Sequence, residues 1–266
     1  HPDVRVTVGL AGDARGLARL CAGEIDIAGM DRPIRAAERR ACADQGVAVV
    51  QIPIAHDGVA VVAHRSRRLA CLTMRQVRDL WMGARAVGVG SPRVRSYGAG
   101  RDTAAFAYLR AALPGAAPAA RSLDDDRALL RRVARDPVGV GFVGFSAVEG
   151  LTQRELAVLA VDGGGGCVRP SRATIREGRY RPLARTLFLQ VSGKALRRDP
   201  VGAFLAFANA SQDDIAATAQ VTPLAAEQQA AAEAAIRDAR AGSRQHPFHT
   251  VTTPRLQVVH IPAAVP

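Results

Sequence analysis

Short apolar runs of strand length alternate with segments of helical period through most of this chain, and that alternation constrains the fold more than any other feature. The strand-like runs are residues 4–8, EIDIAGM from Glu24, VAVVQIPI from Val47, HDGVAVVAH from His56, VGVGFVGF from Val138, LAVLAV from Leu156 and TLFLQV from Thr186. Between them lie helical signals. Leu17, Leu20 and Cys21 share one face and stop near Gly23, and residues 34–45 form an arginine-rich helix ended by Gly46. Thr73 and Gln76 make a capping box that turns Val77, Leu80 and Trp81 inward before Gly83. The helix from Asp124 to about Ala134 carries aspartates in its first turn and arginines toward its end, as the helix dipole favours. Two or three alanine-rich helices fill residues 199–240. Alternation of this kind gives an α/β fold with a mainly parallel core.

Connections follow from the punctuation. A turn at Asp57-Gly58 separates two of the strands, residues 84–93 form a loop, and LPGAAPAAR from Leu113 is a connector. The glycine-rich strand from Val138 requires close backbone packing. Gly163 to Gly166 lacks the Lys-Ser/Thr of a phosphate loop and reads as a linker. No internal repeat is visible. From Ala241 the character changes to a Pro- and His-bearing tail with a strand-like RLQVVHI.

At 266 residues the chain suits one large domain or two lobes, and hydrophobic residues at 48% indicate a folded protein. No apolar run is long enough to span a membrane. The opening HPDVRVTV lacks a leader pattern, so an exported form would already have lost its leader. The formal charge of +12 is almost all arginine, since Lys194 is the sole lysine. A nucleic-acid partner is the usual reading of such a balance. Aromatics at 4% leave few stacking platforms, and the arginines are spread along the chain. No nucleic acid is therefore expected, although the field attracts anions.

The stretch YGAGRDTAAFAYL, residues 97–109, runs a glycine-bearing loop into a helix start. Free backbone N–H groups and the positive end of the helix dipole meet there, making a seat for an anion. Arg101 adds a forked cationic donor and Thr103 a hydroxyl. Other candidates are weaker. His56 and Asp57, as neighbours on a strand, point to opposite faces and have no nucleophile beside them. Asp124 to Asp126 read as a solvated helix start. His246, His249 and His260 match no metal-site spacing. The reading is of no enzyme, no metal and no cofactor. Cys21, Cys42, Cys71 and Cys167 fit neither a zinc pattern nor a CxxC motif; two disulfides and four buried thiols both remain open, with three pairings for the former.

In order, CAGEIDIAGMDRPI, Glu38 and Cys42, IPIAHDGVAVV, CLTMRQVRDLW, YGAGRDTAAFAYL, DDDRALLRRV, VGVGFVGF and GCVRPSRATIREGRYRPLARTLFLQV resemble the substrate-binding protein of the phosphate ABC importer, from about residue 5 to residue 235. The resemblance implies a type II periplasmic-binding-protein fold: two α/β lobes, each a mainly parallel sheet flanked by helices, joined by crossover strands and closing by a hinge on phosphate in the cleft. The expected division is residues 1–62 and 166–240 for the first lobe, 63–165 for the second, and 241–266 for a tail. The family's first strand is missing at the start, and residues 255–261 are expected to fill its place beside residues 4–8. The resemblance also implies export, a monomer, the membrane subunits of an ABC importer as partners, and bridges Cys21–Cys42 and Cys71–Cys167.

Its ligand residues carry over in part. The family's glycine-rich loop falls on Gly12-Asp13-Ala14-Arg15-Gly16, its serine loop on Met30-Asp31 before Arg32-Pro33, its proton-accepting aspartate on Asp57, and its Ser-Gly-Thr on Thr103-Ala104-Ala105. The expected ligand set is Gly12, Asp13, Asp31, Arg32, Asp57, Gly100, Arg101, Asp102, Thr103 and Ala104. Asp13 and Asp31 are departures, because ionised carboxylates accept and do not donate, and they repel a dianion. Arg15, Arg32 and Arg101 offset them or pair with them. The expected function is capture of phosphate or a similar small oxyanion. A degenerate sensor or scaffold and a basic polyanion binder are the alternatives.

Overall fold

A computed structural model describes residues 6–9, 12–87, 93–101, 103–118, 120–123, 125–149, 151 and 156–241. Asp102, Asp124, the tail histidines and the strand expected at 255–261 lie outside them. In chain order the elements are α1 (Asp13–Cys21), β1 (Ile27–Met30), α2 (Ala36–Asp44), β2 (Val49–His64), β3 (Cys71–Thr73), α3 (Met74–Trp81), β4 (Arg95–Ala99) and α4 (Ala104–Ala112). There follow β5 (Arg121–Leu123), α5 (Asp126–Ala134), β6 (Gly139–Gly144), β7 (Leu156–Val158), β8 (Ala160–Asp162), β9 (Cys167–Val168) and α6 (Arg172–Arg176). The chain then runs through β10 (Ala184–Ser192), α7 (Gly193–Leu196), α8 (Asp199–Ala210), α9 (Gln212–Ala219) and α10 (Ala226–Ala241).

Two compact units result, residues 1–56 with 186–266, and residues 57–185. The chain passes between them inside β2 and inside β10. These boundaries differ from the expected breaks at 62/63 and 165/166. Residues 166–185 pack within the second unit because Cys167 bonds Cys71 and the buried Tyr180 donates its hydroxyl to the Val59 carbonyl at 3.0 Å. Burial pushes that phenol well above its ordinary value.

In the first unit β10 lies between β1 and β2, antiparallel to β1 with Ile27 opposite Val191. Leu17, Leu20 and Cys21 of α1 are buried with Met30, Cys42 and Val49, and the Cys21–Cys42 bridge ties α1 to α2. A second cluster joins Val50, Ile52 and Val191 to Leu196, Leu205 and Ile236 of the C-terminal helices.

In the second unit the strand order is β2-β6-β4-β5, with β7 also on β2, beside a small sheet β3-β8-β9. The α/β class holds, but the sheets are mixed. β4 runs parallel to β5 and β6, and β3 to β8, whereas β6 and β7 run antiparallel to β2 and β9 to β8. Trp81 meets Phe142 edge-on at 5.8 Å and Phe106 at 5.3 Å. The capping box forms as expected: Thr73 accepts from the Gln76 N–H, and Val77, Leu80 and Trp81 are fully buried.

Several local expectations change. Residues 6–9 are not a strand, and Val6 and Val8 are exposed. No turn interrupts β2 at Asp57-Gly58. The glycine is there for room, because a Cβ on Gly58 would come to 3.2 Å from the Leu183 carbonyl oxygen. LAVLAV breaks at Leu159 into β7 and β8. Gly163 to Gly166 is no loose linker but the tight turn between β8 and β9, where Asp162 accepts from the N–H groups of Gly164 and Gly166.

The glycine-rich strand is explained by α5 lying close on β6. A Cβ on Gly141 would stand 2.5 Å from Leu129 Cδ2 and 2.9 Å from Val133 Cγ2, both fully buried side chains. Gly141→Ala is therefore expected to cost about 1–3 kcal/mol through overpacking, read as a lower urea midpoint at unchanged slope.

Candidate functional site

The expected ligand residues fall into three groups. In the first unit, Gly12 caps α1 without a side chain, and Asp13 opens the helix where its dipole is positive. Both carboxylate oxygens of Asp13 accept from the Asp31 N–H, at 3.2 and 3.1 Å. That contact crosses from the β1 end to the start of α1. Gly12, Asp13, Ala14, Asp31 and Arg32 together line an open cavity of about 390 Å³. The Arg32 guanidinium is not free to face it fully. It forks onto Glu38 at 2.7 and 2.5 Å and also donates to the Pro33 carbonyl at 3.1 Å. This pair, first through its hydrogen bond, holds the Glu38 carboxyl below its usual range.

Burial, then the side-chain hydrogen bond and charge of Asp31, push the Asp13 carboxyl up to about 7. Near neutrality Asp13 thus holds its proton about half the time, and the neutral acid is a donor where an ionised carboxylate is not. The repulsion expected of two extra carboxylates is reduced by the proton on Asp13. A raised carboxyl makes the folded state bind protons more tightly than the unfolded chain. Its effect on stability is absent below about 4 and grows into a penalty as pH rises to about 7. Asp13→Asn is expected to stabilise the free protein at pH 8 relative to wild type and to leave it nearly unchanged at pH 4, measured by urea unfolding. An equal effect at both pH values would show that Asp13 titrates normally.

In the second unit, β4 delivers buried Gly100, and α4 follows after Thr103. The Thr103 hydroxyl caps the helix, accepting from the Phe106 N–H at 3.2 Å and donating to the Gly100 carbonyl at 2.8 Å. Arg101 is exposed, and Ala104 opens α4.

The third group surrounds Asp57, also in the second unit and buried. Its Oδ1 accepts from the Gly58 N–H at 2.7 Å and its Oδ2 from Arg185 Nη2 at 3.2 Å. Arg185 is buried and lies over the Tyr108 ring of α4 at 3.5 Å, while Tyr108 donates to the Pro182 carbonyl. Arg185 and Tyr108 thus join Asp57 to the helix that Thr103 begins. Asp126 is a further correction. It is half-buried, not a solvated helix start, and its Oδ2 accepts from the Gly144 N–H at 2.8 Å while Oδ1 is buried without a partner among the described residues. Burial, with the charges of Asp125 and Asp57, raises its carboxyl to about 6.

Arg185 escaped the sequence reading, which took Asp126 only as part of a solvated helix start. A lone arginine at the head of the apolar run TLFLQV was the one signal for Arg185. His56, by contrast, is a satisfied core histidine: its ring nitrogens meet Gln228 Oε1 and Thr186 Oγ1, each at 2.9 Å. Both expected disulfides are present.

The chain matches the family described as a PBP superfamily domain over residues 1–212. It is 30% identical over 257 residues to Protein SphX of Synechococcus elongatus, covering 91% of this chain and 76% of that one. The Phosphate-binding protein PstS of Staphylococcus epidermidis is 24% identical over 209 residues, covering 76% and 64%. The chain thus spans less than two thirds of the latter's length. In structure it is similar to a possible phosphate binding protein from Planctomyces limnophilus, with a TM-score of 0.83 at 24% identity, covering 90% and 89% of the two chains. The two α/β units, the ordered motifs and these matches establish that the chain belongs to the PBP superfamily.

Proposed function

We propose that this chain is a non-catalytic, extracytoplasmic solute-binding protein that captures phosphate and hands it to the membrane subunits of an ABC importer. Asp57 is the observation that carries the reading. It is a buried carboxylate held in place by Arg185 and the Gly58 N–H, with lone pairs still open to a donor. In a superfamily built to hold small solutes, an acceptor of this kind suits an anion that brings its own proton. Phosphate retains one near neutrality; sulfate does not. The names of the PstS relative and of the Planctomyces limnophilus protein support the same ligand. Two disulfides fit an oxidising compartment, and among the described residues no helix is long and apolar enough to cross a membrane.

Calorimetry tests this. Phosphate is expected to bind at pH 7.5 at least about a hundredfold more tightly than sulfate, because sulfate would leave the buried acceptor unpaired. Asp57→Asn is expected to narrow that ratio.

A second reading rests on a specific observation. Thr103 is occupied with capping α4 and Arg32 with Glu38, which suits a superfamily member acting as a sensor or scaffold without phosphate. Silence toward phosphate at millimolar concentration would decide for it.

A further inference from the structure

We infer that the second unit holds a further anion site, at the amino-terminal ends of β4, β5 and β6, which takes a short linear polyphosphate. The site is a cavity of about 530 Å³ lined by Gly83, Ala84, Arg85, Arg93, Val94, Arg95, Ser96, Arg121 and Val138. Its place in the fold separates it from the groups described above. Arg95 opens β4 and Arg121 opens β5, while Val138 immediately precedes β6, and β4 runs parallel to both neighbours. Gly100 and Thr103 follow the other end of β4, roughly 13 Å along the strand. Open α/β sheets ordinarily bind ligands outside the carboxyl ends of their strands, so this cavity is not the fold's customary site.

The charge pattern argues for an anion. Among the described residues, four of the nine that line the cavity are arginine and none is acidic, whereas lysine and arginine together make up 36 of 266 residues in the chain. Arginine abundance alone does not account for that density. Arg95 is matched: it donates to Asp136 Oδ2 at 2.6 Å, and Tyr97 donates to the same oxygen at 2.8 Å. Burial works to raise that carboxyl, but the hydrogen bonds from Tyr97, the Val138 N–H and Arg95 outweigh it, and the net direction is downward. The side chains of Arg85, Arg93 and Arg121 have no hydrogen-bond or ion-pair partner among the described residues. They therefore cap no helix carbonyl and offset no carboxylate there. Ser96 adds a buried hydroxyl, also without a partner among the described residues.

Three guanidinium groups unmatched among the described residues surround one concavity and focus a positive field, and their planar forks suit phosphoryl oxygens. One orthophosphate would leave most of a cavity this size, and most of its donors, unused. A chain of several phosphoryl groups uses both, and the volume lies within the range of small-molecule sites.

Calorimetry with inorganic triphosphate tests the assignment, with inorganic phosphate kept in every solution so that the result stands apart from the phosphate reading. Wild type is expected to bind one triphosphate. The double variant Arg85→Gln/Arg121→Gln is expected to bind it at least about tenfold more weakly. The charge-matched control Arg131→Gln/Arg197→Gln, at exposed positions in α5 and just after α7, is expected to change it less than about threefold. Arg93→Gln alone gives a milder loss and serves if the double variant melts early. No triphosphate binding by wild type, or equal weakening by both double variants, would overturn the proposal in favour of general surface charge.

Discussion

Replacing Arg185 by methionine is expected to lower the unfolding free energy of the second unit by about 3–5 kcal/mol, the usual consequence of stranding a buried charge. Arg185 and Asp57 are both buried, and the guanidinium is held between the Asp57 carboxylate and the face of Tyr108. Removing the arginine leaves a carboxylate with, among the described residues, only the Gly58 N–H to answer it. Removing both charges is a different experiment. Asp57→Leu with Arg185→Met exchanges two desolvated ions for apolar volume and is expected to recover most of the loss. Urea unfolding of the single and double variants measures this. A single variant losing under about 1 kcal/mol would mean that water reaches the pair. The double variant is also expected to lose phosphate if the proposed function is right, so folding and binding separate in one protein.

That pair also shows where reading the sequence stops. Alternation of apolar runs was enough for the α/β class, the capping box at Thr73 and the burial of Trp81, because each follows from local spacing. The pairing of strands did not follow. Whether β6 lies parallel or antiparallel to a neighbour depends on which strand comes to sit beside it, and β2 was read as two strands because Asp57-Gly58 has turn composition. Its glycine answers instead to the Leu183 carbonyl, 125 positions away in sequence by the numbering. The candidate site divides likewise. Asp13 and Asp31 are legible as departures in matched motifs and Arg32 as a residue that matches, yet the diversion of Arg32 to Glu38 and the raised carboxyl of Asp13 arise from contacts between separate elements. Asp126 looked solvated because three adjacent aspartates usually are; the N–H that its Oδ2 accepts belongs to Gly144 of β6, a separate element.

Mild reduction of the folded protein is expected to open Cys71–Cys167 before Cys21–Cys42, and with a large effect on stability. Access decides the order. Cys167 is exposed and Cys71 half-buried, whereas Cys21 and Cys42 are both buried in the first unit's core. Loop length decides the magnitude. The two bridges close separations of 96 and 21 residues, and in the chain-entropy account a loop near the longer value contributes about 4–5 kcal/mol against about 3 for the shorter. Packing works the other way, since cutting the buried bridge also disturbs Leu17, Leu20 and Val49 around it. Reduction in the native state avoids that complication, because the exposed bridge opens without repacking a core. Alkylation and mass mapping would identify the bridge cut first, and denaturation of that species is expected to show a loss of about 4–5 kcal/mol confined to the second unit. Both bridges opening together only as the protein unfolds would mean that β3, β8 and β9 shield Cys167 after all.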